Sequence, residues 1–354
     1  MTRPLILLLL TLSLSIPHTD ALSWQPPFFI IGTELGQTSN LLFDSTSVDD
    51  VIGDFRLAID QPLAEWLTLF YDVNLSRLTE TSDLSSSHQE FGFYISRNSE
   101  QQKTGFSALV NSLNYGEYYS TYDRRQLYLG VDTRRTFTQS IQLRGGVNFS
   151  STTYPGYTAG LSVDHNDWQV VSGLNLSFNW PLALDLETGW QHRQYIDNIT
   201  PLNTSLGYLK LRGSRPLSNR AGLAVQLYLR EQPGVEEQEL FALSSLGINP
   251  GDLLWNGWQT QGTLNYILTD WRMKLGASLQ EAHYLETSVI DGQAQRNDTR
   301  VAAQLGARRA IPLTNLPLRL WFNIDLYWQD NSSSSSYYTY TAGGLQLGLT
   351  LEPF

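Results

Sequence analysis

The side chains best able to do chemistry in this sequence are its spaced arginines and lysines. Arg134, Arg144, Lys210, Arg212, Arg220, Arg230, Arg272, Lys274, Arg300, Arg308 and Arg319 each fall on the polar phase of a segment whose alternate residues are apolar. Residues two apart point the same way on an extended chain. Such spacing gathers guanidinium and ammonium groups on one wetted face, where they attract anions or neighbouring carboxylates. Acids on the same phase are fewer: Asp60, Asp72, Asp132, Asp185, Glu187 and Asp325, with Glu34 and Arg56 in the same setting. Two roles are open to the bases. They brace adjacent strands by pairing with these acids, or, left unpaired, they hold a local field that favours anions. Most are expected toward the short-connector end of their strands, with Arg144, Arg230 and Arg300 at a higher level.

Other chemistries are excluded or weakly signalled. The chain has no cysteine, which removes disulfides and thiolate metal sites. A formal charge of −11 argues against a nucleic-acid partner. His192 and His283 fall on the apolar phase beside polar stretches, where interfacial residues belong, and no serine stands out as a catalytic partner for either. No HExxH, phosphate loop or EF-hand spacing occurs. The acids of the longer polar stretches, such as Asp49, Asp50, Glu117, Asp123, Glu236, Glu237 and Glu239, fit simple solubility. No catalytic residue, metal site or cofactor is expected.

The elements that must position these charges are strands of about ten residues. Ala221, Leu223, Val225, Leu227 and Leu229 alternate with Gly222, Ala224, Gln226, Tyr228 and Arg230. The same device recurs near 28–37, 51–60, 67–78, 89–97, 104–115, 125–134, 140–150, 167–178, 181–192, 204–213, 219–230, 255–267, 271–284, 298–309, 317–330 and 338–352. About sixteen strands result, with 14 or 18 as alternative counts. Short connectors (61–64, 98–103, 136–139, 179–182, 214–219, 268–270, 311–316) alternate with longer polar stretches. Tyr157, Ala159, Leu161 and Val163 also alternate and read as a strand extension. The longest polar stretch, 231–254, holds the apolar run Leu240–Leu243 and reads as a constriction or a cover.

Both ends carry signals. Arg3, the apolar Leu5–Leu14 and the small residues around Ala21 read as a cleaved leader over 1–23, leaving 24–354 as one domain. After it no apolar run is long enough for a membrane helix, so any span is made of strands. Trp66, Trp168, Trp180, Trp190, Trp271 and Trp328 lie near expected strand ends, as an aromatic girdle would. Phe354 closes the chain, one position out of phase with Leu345, Leu347, Leu349 and Leu351 across Pro353.

Leader, alternation, connector asymmetry and terminal Phe354 together resemble the outer-membrane β-barrels of Gram-negative bacteria, porin-like in size, with no motif that selects a particular family. The resemblance implies an all-β fold, a transmembrane antiparallel up-and-down barrel in the outer membrane. It implies the lipid bilayer, lipopolysaccharide and the barrel-assembly machinery as partners, and allows a homo-oligomer. The function to expect is a passive or weakly selective pore for small hydrophilic solutes, anions among them. Two alternatives stand beside it: an export conduit working with a periplasmic partner, and a structural or surface-interaction barrel whose lumen is filled.

Overall fold

A strand that is apolar at every second residue needs hydrocarbon on one face and polar groups on the other. A long sheet of such strands loses its edges only by closing on itself. The computed structural model describes residues 26–40, 48–157, 164–178, 180–196, 203–232, 255–284, 296–313 and 317–353, and in these the chain closes. Its strands are β1 (Phe28–Thr38), β2 (Asp50–Ala64), β3 (Leu67–Leu78), β4 (Ser86–Asn98), β5 (Gln102–Tyr115), β6 (Arg124–Thr138), β7 (Ile141–Thr153) and β8 (His165–Phe178). They continue as β9 (Leu182–Tyr195), β10 (Asn203–Ser218), β11 (Ala221–Glu231), β12 (Trp255–Leu268), β13 (Trp271–Tyr284), β14 (Asn297–Pro312), β15 (Leu318–Ser333) and β16 (Tyr340–Pro353). Each pairs antiparallel with its chain neighbours, and β16 pairs with β1 to seal the ring.

The register sorts the two faces. Leu209 lies opposite Leu229 and Leu211 opposite Leu227, and all four remain exposed. Val225, Leu275, Leu345, Leu347 and Leu349 are likewise large, apolar and exposed. Buried apolar residues are few, among them Trp255, Tyr284 and Trp321. An apolar exterior of this extent is stable against lipid and not against water. The alternate positions are polar: Lys210 faces Tyr228, Arg212 faces Gln226, and Gln226 faces Gln261.

Three strands run further toward the short-connector rim than their sequence suggests. β2 continues to Ala64, β6 to Thr138 and β10 to Ser218, each with a register shift near its end, at Pro62/Ala64, Thr136/Thr138 and Pro216/Ser218. A bulge absorbs the extra residue, so proline lacking an N–H is tolerated there and the true turn shrinks to two residues. One expected wall residue moves as a result. Arg220 lies in the turn before β11, where its carbonyl accepts the Ile267 N–H at 2.7 Å, and it is not part of the wall.

At the opposite rim Tyr157 lies in a turn and not on a strand, its N–H donating to the Tyr154 carbonyl at 3.1 Å. Ala159, Leu161, Val163, the 233–254 stretch, the leader and Phe354 lie outside the described residues.

Candidate functional site

The register turns β10–β13 into one basic face. Lys210, Arg212, Arg230, Arg272 and Lys274 share the inward phase, which carries no carboxylate on these four strands. Arg300 and Arg308 extend it onto β14. Among the described residues, Lys210, Arg212, Arg272, Lys274, Arg300 and Arg308 make no ion pair. Arg212, Gln226, Gln261, Thr263, Asn265 and Lys274 line a concavity of about 410 Å³ in this wall.

Arg272 stands directly opposite Arg308, a pairing that like charges oppose. Both guanidinium carbons lie over Trp321, 4.8 and 4.5 Å from the ring centroid, with that of Arg319 at 5.5 Å. The ring face attracts each cation, which offsets part of the repulsion. Trp321 is 3% exposed, and its Nε1 donates to Glu352 Oε1 at 2.6 Å. Higher in the wall Arg230 lies over Trp255, 4.7 Å from its centroid.

On the other side of the ring, beyond β14–β16 one way and β5–β9 the other, the polarity reverses. β1–β4 present Glu34, Asp54, Asp60, Asp72 and Glu90 on the inward phase with one base, Arg56. Arg56 is committed: its Nη2 contacts Asp72 Oδ2 at 2.5 Å. Arg144 is the other brace. It reaches from β7 across β8 to β9, its Nη2 2.6 Å from Asp185 Oδ1 and 2.7 Å from Glu187 Oε2. It passes over Gly173, where a Cβ would collide with its Nε, so glycine is what admits the crossing. Arg144 faces Arg134 directly and therefore sits level with it, not above it as expected. Arg134 and Asp132 are exposed near the short-connector end of β6, and Asp325 is exposed opposite Gly306.

The loop-side rim is built differently. Asp50, 2% exposed, accepts the N–H groups of Val51, Thr79, Glu80 and Thr81 and the hydroxyls of Thr79 and Thr81 at 2.5–3.0 Å. Arg193 donates from Nε and Nη2 to the two oxygens of Asp167, both at 2.8 Å. Arg296 forks onto Asp298 at 2.5–3.1 Å between the rings of Tyr284 and Tyr338, 4.0 and 3.5 Å from their centroids. Burial alone would lower the Arg296 pKa. The hydrogen bond to Asp298, together with the charge interactions with Asp298, Tyr284 and Tyr338, outweighs it and holds the group above the usual arginine value.

The expected girdle residues occupy turns or the outward phase. Trp168 packs on Phe149 at 4.6 Å and Trp190 stacks on His192 at 5.6 Å, both near the loop rim, while Trp328 faces outward on β15. Trp66 and Trp180 lie in short turns and Trp271 begins β13. His192 Nδ1 is 3.0 Å from Ser205 Oγ and His283 Nδ1 is 2.7 Å from Asn297 Oδ1. Sequence reasoning passed over Trp255, Trp321, Asp54, Glu90 and Arg124. Phase alone places Trp321 between Arg319 and Asn323 on the inward side, and the same signal was present for the others.

Fold and wall together define a closed sixteen-strand antiparallel barrel of the kind found in Gram-negative outer membranes. No protein-family model matches the sequence, and no curated protein is detectably similar to it. Among solved structures, CdiB from Acinetobacter baumannii aligns with a TM-score of 0.56 at 12% identity, over 91% of this chain and 60% of that one. This chain thus spans about 60% of the length of CdiB. OccAB1 from the same organism aligns at 0.53 and 6% identity, over 93% of this chain and 96% of its own. The outer-membrane protein OpdK from Pseudomonas aeruginosa aligns at 0.53 and 8% identity, over 92% and 99%. At such identities the likeness is one of fold.

Proposed function

We propose that this barrel is an outer-membrane pore that passes small hydrophilic solutes down their gradients and favours anions, with no catalytic step. The basic face of β10–β13 carries this reading, because it holds no inward acid and most of its bases are unpaired. Bases that brace strands need partners in reach, as Arg144 and Arg56 have. Arg212, Arg272, Lys274 and Arg308 are exposed to the lumen and form no ion pair, although Asp185 lies opposite Arg212 and Asp325 stands one strand beyond Lys274 across Gly306, so their field extends into whatever water passes. A sixteen-strand barrel is wide enough to hold that water. The acids of β1–β4 across the ring steepen the field and keep the two walls from being equivalent. The same reading has the leader removed on export, Phe354 presented to the barrel-assembly machinery, and lipopolysaccharide against the outer tryptophan belt.

Swelling of liposomes containing the purified barrel tests it. Small sugar acids should enter faster than neutral sugars of equal size. A barrel whose lumen is filled by its own side chains and loops would admit neither, and a faster neutral sugar would exclude anion preference.

A further inference from the structure

Away from the basic face, three loops on the β3–β8 side fold onto one another at the outer mouth. The Gly116 N–H donates to the carbonyls of Asp83 and Ser85, both at 3.1 Å, tying the β5–β6 loop to the β3–β4 loop. A Cβ at Gly116 would lie 2.7 Å from the Asp83 carbonyl oxygen, and one at Gly156 would strike that of Ser120. This contact, which only glycine permits, seats the β7 end against the β5–β6 loop as well. Beneath the folded loops is a cavity of about 360 Å³ lined by Leu84, Leu113, Tyr115, Tyr119, Tyr122, Arg124 and Tyr154.

The polar groups of this cavity are unbalanced. Arg124 is half-buried, and its Nε is shielded from solvent with no hydrogen-bond partner among the described residues. Two residues down the same inward face, Asn111 donates to Gln126 at 2.9 Å, yet its own Oδ1 is buried and unpartnered. A desolvated guanidinium N–H without an acceptor, as at this Nε, is unfavourable unless a ligand supplies one. Tyr119 and Tyr122 form a tilted aromatic pair, ring centroids 6.1 Å apart, and both line the cavity. Tyrosine offers a flat apolar face and a hydroxyl together. A flat aromatic acid would use the faces alone, whereas a sugar ring uses both, and about 300 Å³ is the lower end of small-ligand sites.

We propose that this cavity is an outer-vestibule binding site for an anionic saccharide, a sugar ring bearing a carboxylate. Arg124 pairs with the carboxylate, and the faces and hydroxyls of Tyr119, Tyr122 and Tyr154 take the ring. The site stands apart from the basic wall, so it holds whether or not the barrel conducts.

Calorimetric titration of the folded full-length barrel in detergent with glucuronate, glucose and benzoate decides the matter. Glucuronate should bind saturably, with glucose and benzoate each weaker by about ten-fold or more. Arg124→Gln should cost a comparable factor for glucuronate, Arg124→Lys less, and Tyr119→Phe together with Tyr122→Phe should lower glucuronate affinity without changing that for benzoate. Arg125→Gln, on the outward phase of the same strand, should leave binding unchanged and shows that loss at Arg124 is local. Absence of glucuronate binding, equal binding of benzoate, or indifference to Arg124→Gln would each overturn the proposal.

Discussion

The loop-side rim and the β10–β13 wall use the same residue types for opposite ends. At the rim Arg296 is buried against Asp298 and between two tyrosines, Arg193 is forked onto Asp167, and Asp50 is saturated with donors. In the wall Arg212 and Lys274 stand exposed and form no ion pair, the carboxylate opposite Arg212, Asp185, being held by Arg144 instead. A buried charge must be paired to exist at all, so the rim charges hold shape. An exposed charge in a wet wall costs little to leave unpaired, and what remains of it is field. On the proposed reading, pairing separates charges that maintain the barrel from charges left free to act on solutes.

The sharpest way to break this division is Asp298→Ala, which strands the buried Arg296 and should cost about 3–5 kcal/mol in urea unfolding from lipid or detergent. A loss below about 1 kcal/mol would mean the rim pairs are ornamental. Asp50→Ala should follow at about 2 kcal/mol, because several buried donors lose their acceptor at once. It should also loosen the β3–β4 loop, read as faster amide exchange at Glu80 and Thr81. Arg144→Gln should cost about 1 kcal/mol or less, since its acids are partly solvated, but it should make the inner mouth more cation-attracting by exposing Asp185 and Glu187. At the small end, Arg212→Ala and Lys274→Ala should change stability by less than about 0.5 kcal/mol. If either unfolds the barrel, the wall is structural too and the contrast fails.

Much of the barrel was legible from period alone. Leu223, Val225, Leu227 and Leu229 fix the facing of β11 without any structure, because a one-residue slip would put all of them in water. Strand ends were less legible at Pro62 and Pro216, where a proline reads as a stop and the structure spends it on a bulge. That offset is also what removed Arg220 from the wall. The candidate site was half visible: phase identifies which side Arg212 and Arg272 share, but not that Asp185, directly opposite Arg212, pairs with Arg144 over Gly173 instead. Distances across three strands depend on register, which a single sequence does not print. Trp321 was missed for a simpler reason. An aromatic in a barrel invites assignment to the lipid belt, and here it is the ring beneath three arginines.

The most direct measurement is the reversal potential of the purified barrel in a planar bilayer under a potassium chloride gradient, alone and with Arg212→Glu plus Lys274→Glu. A steady current selective for chloride, driven toward potassium by the two substitutions, is the predicted result. No steady current, selectivity for potassium in the unaltered barrel, or an unmoved reversal potential in the double variant would contradict it.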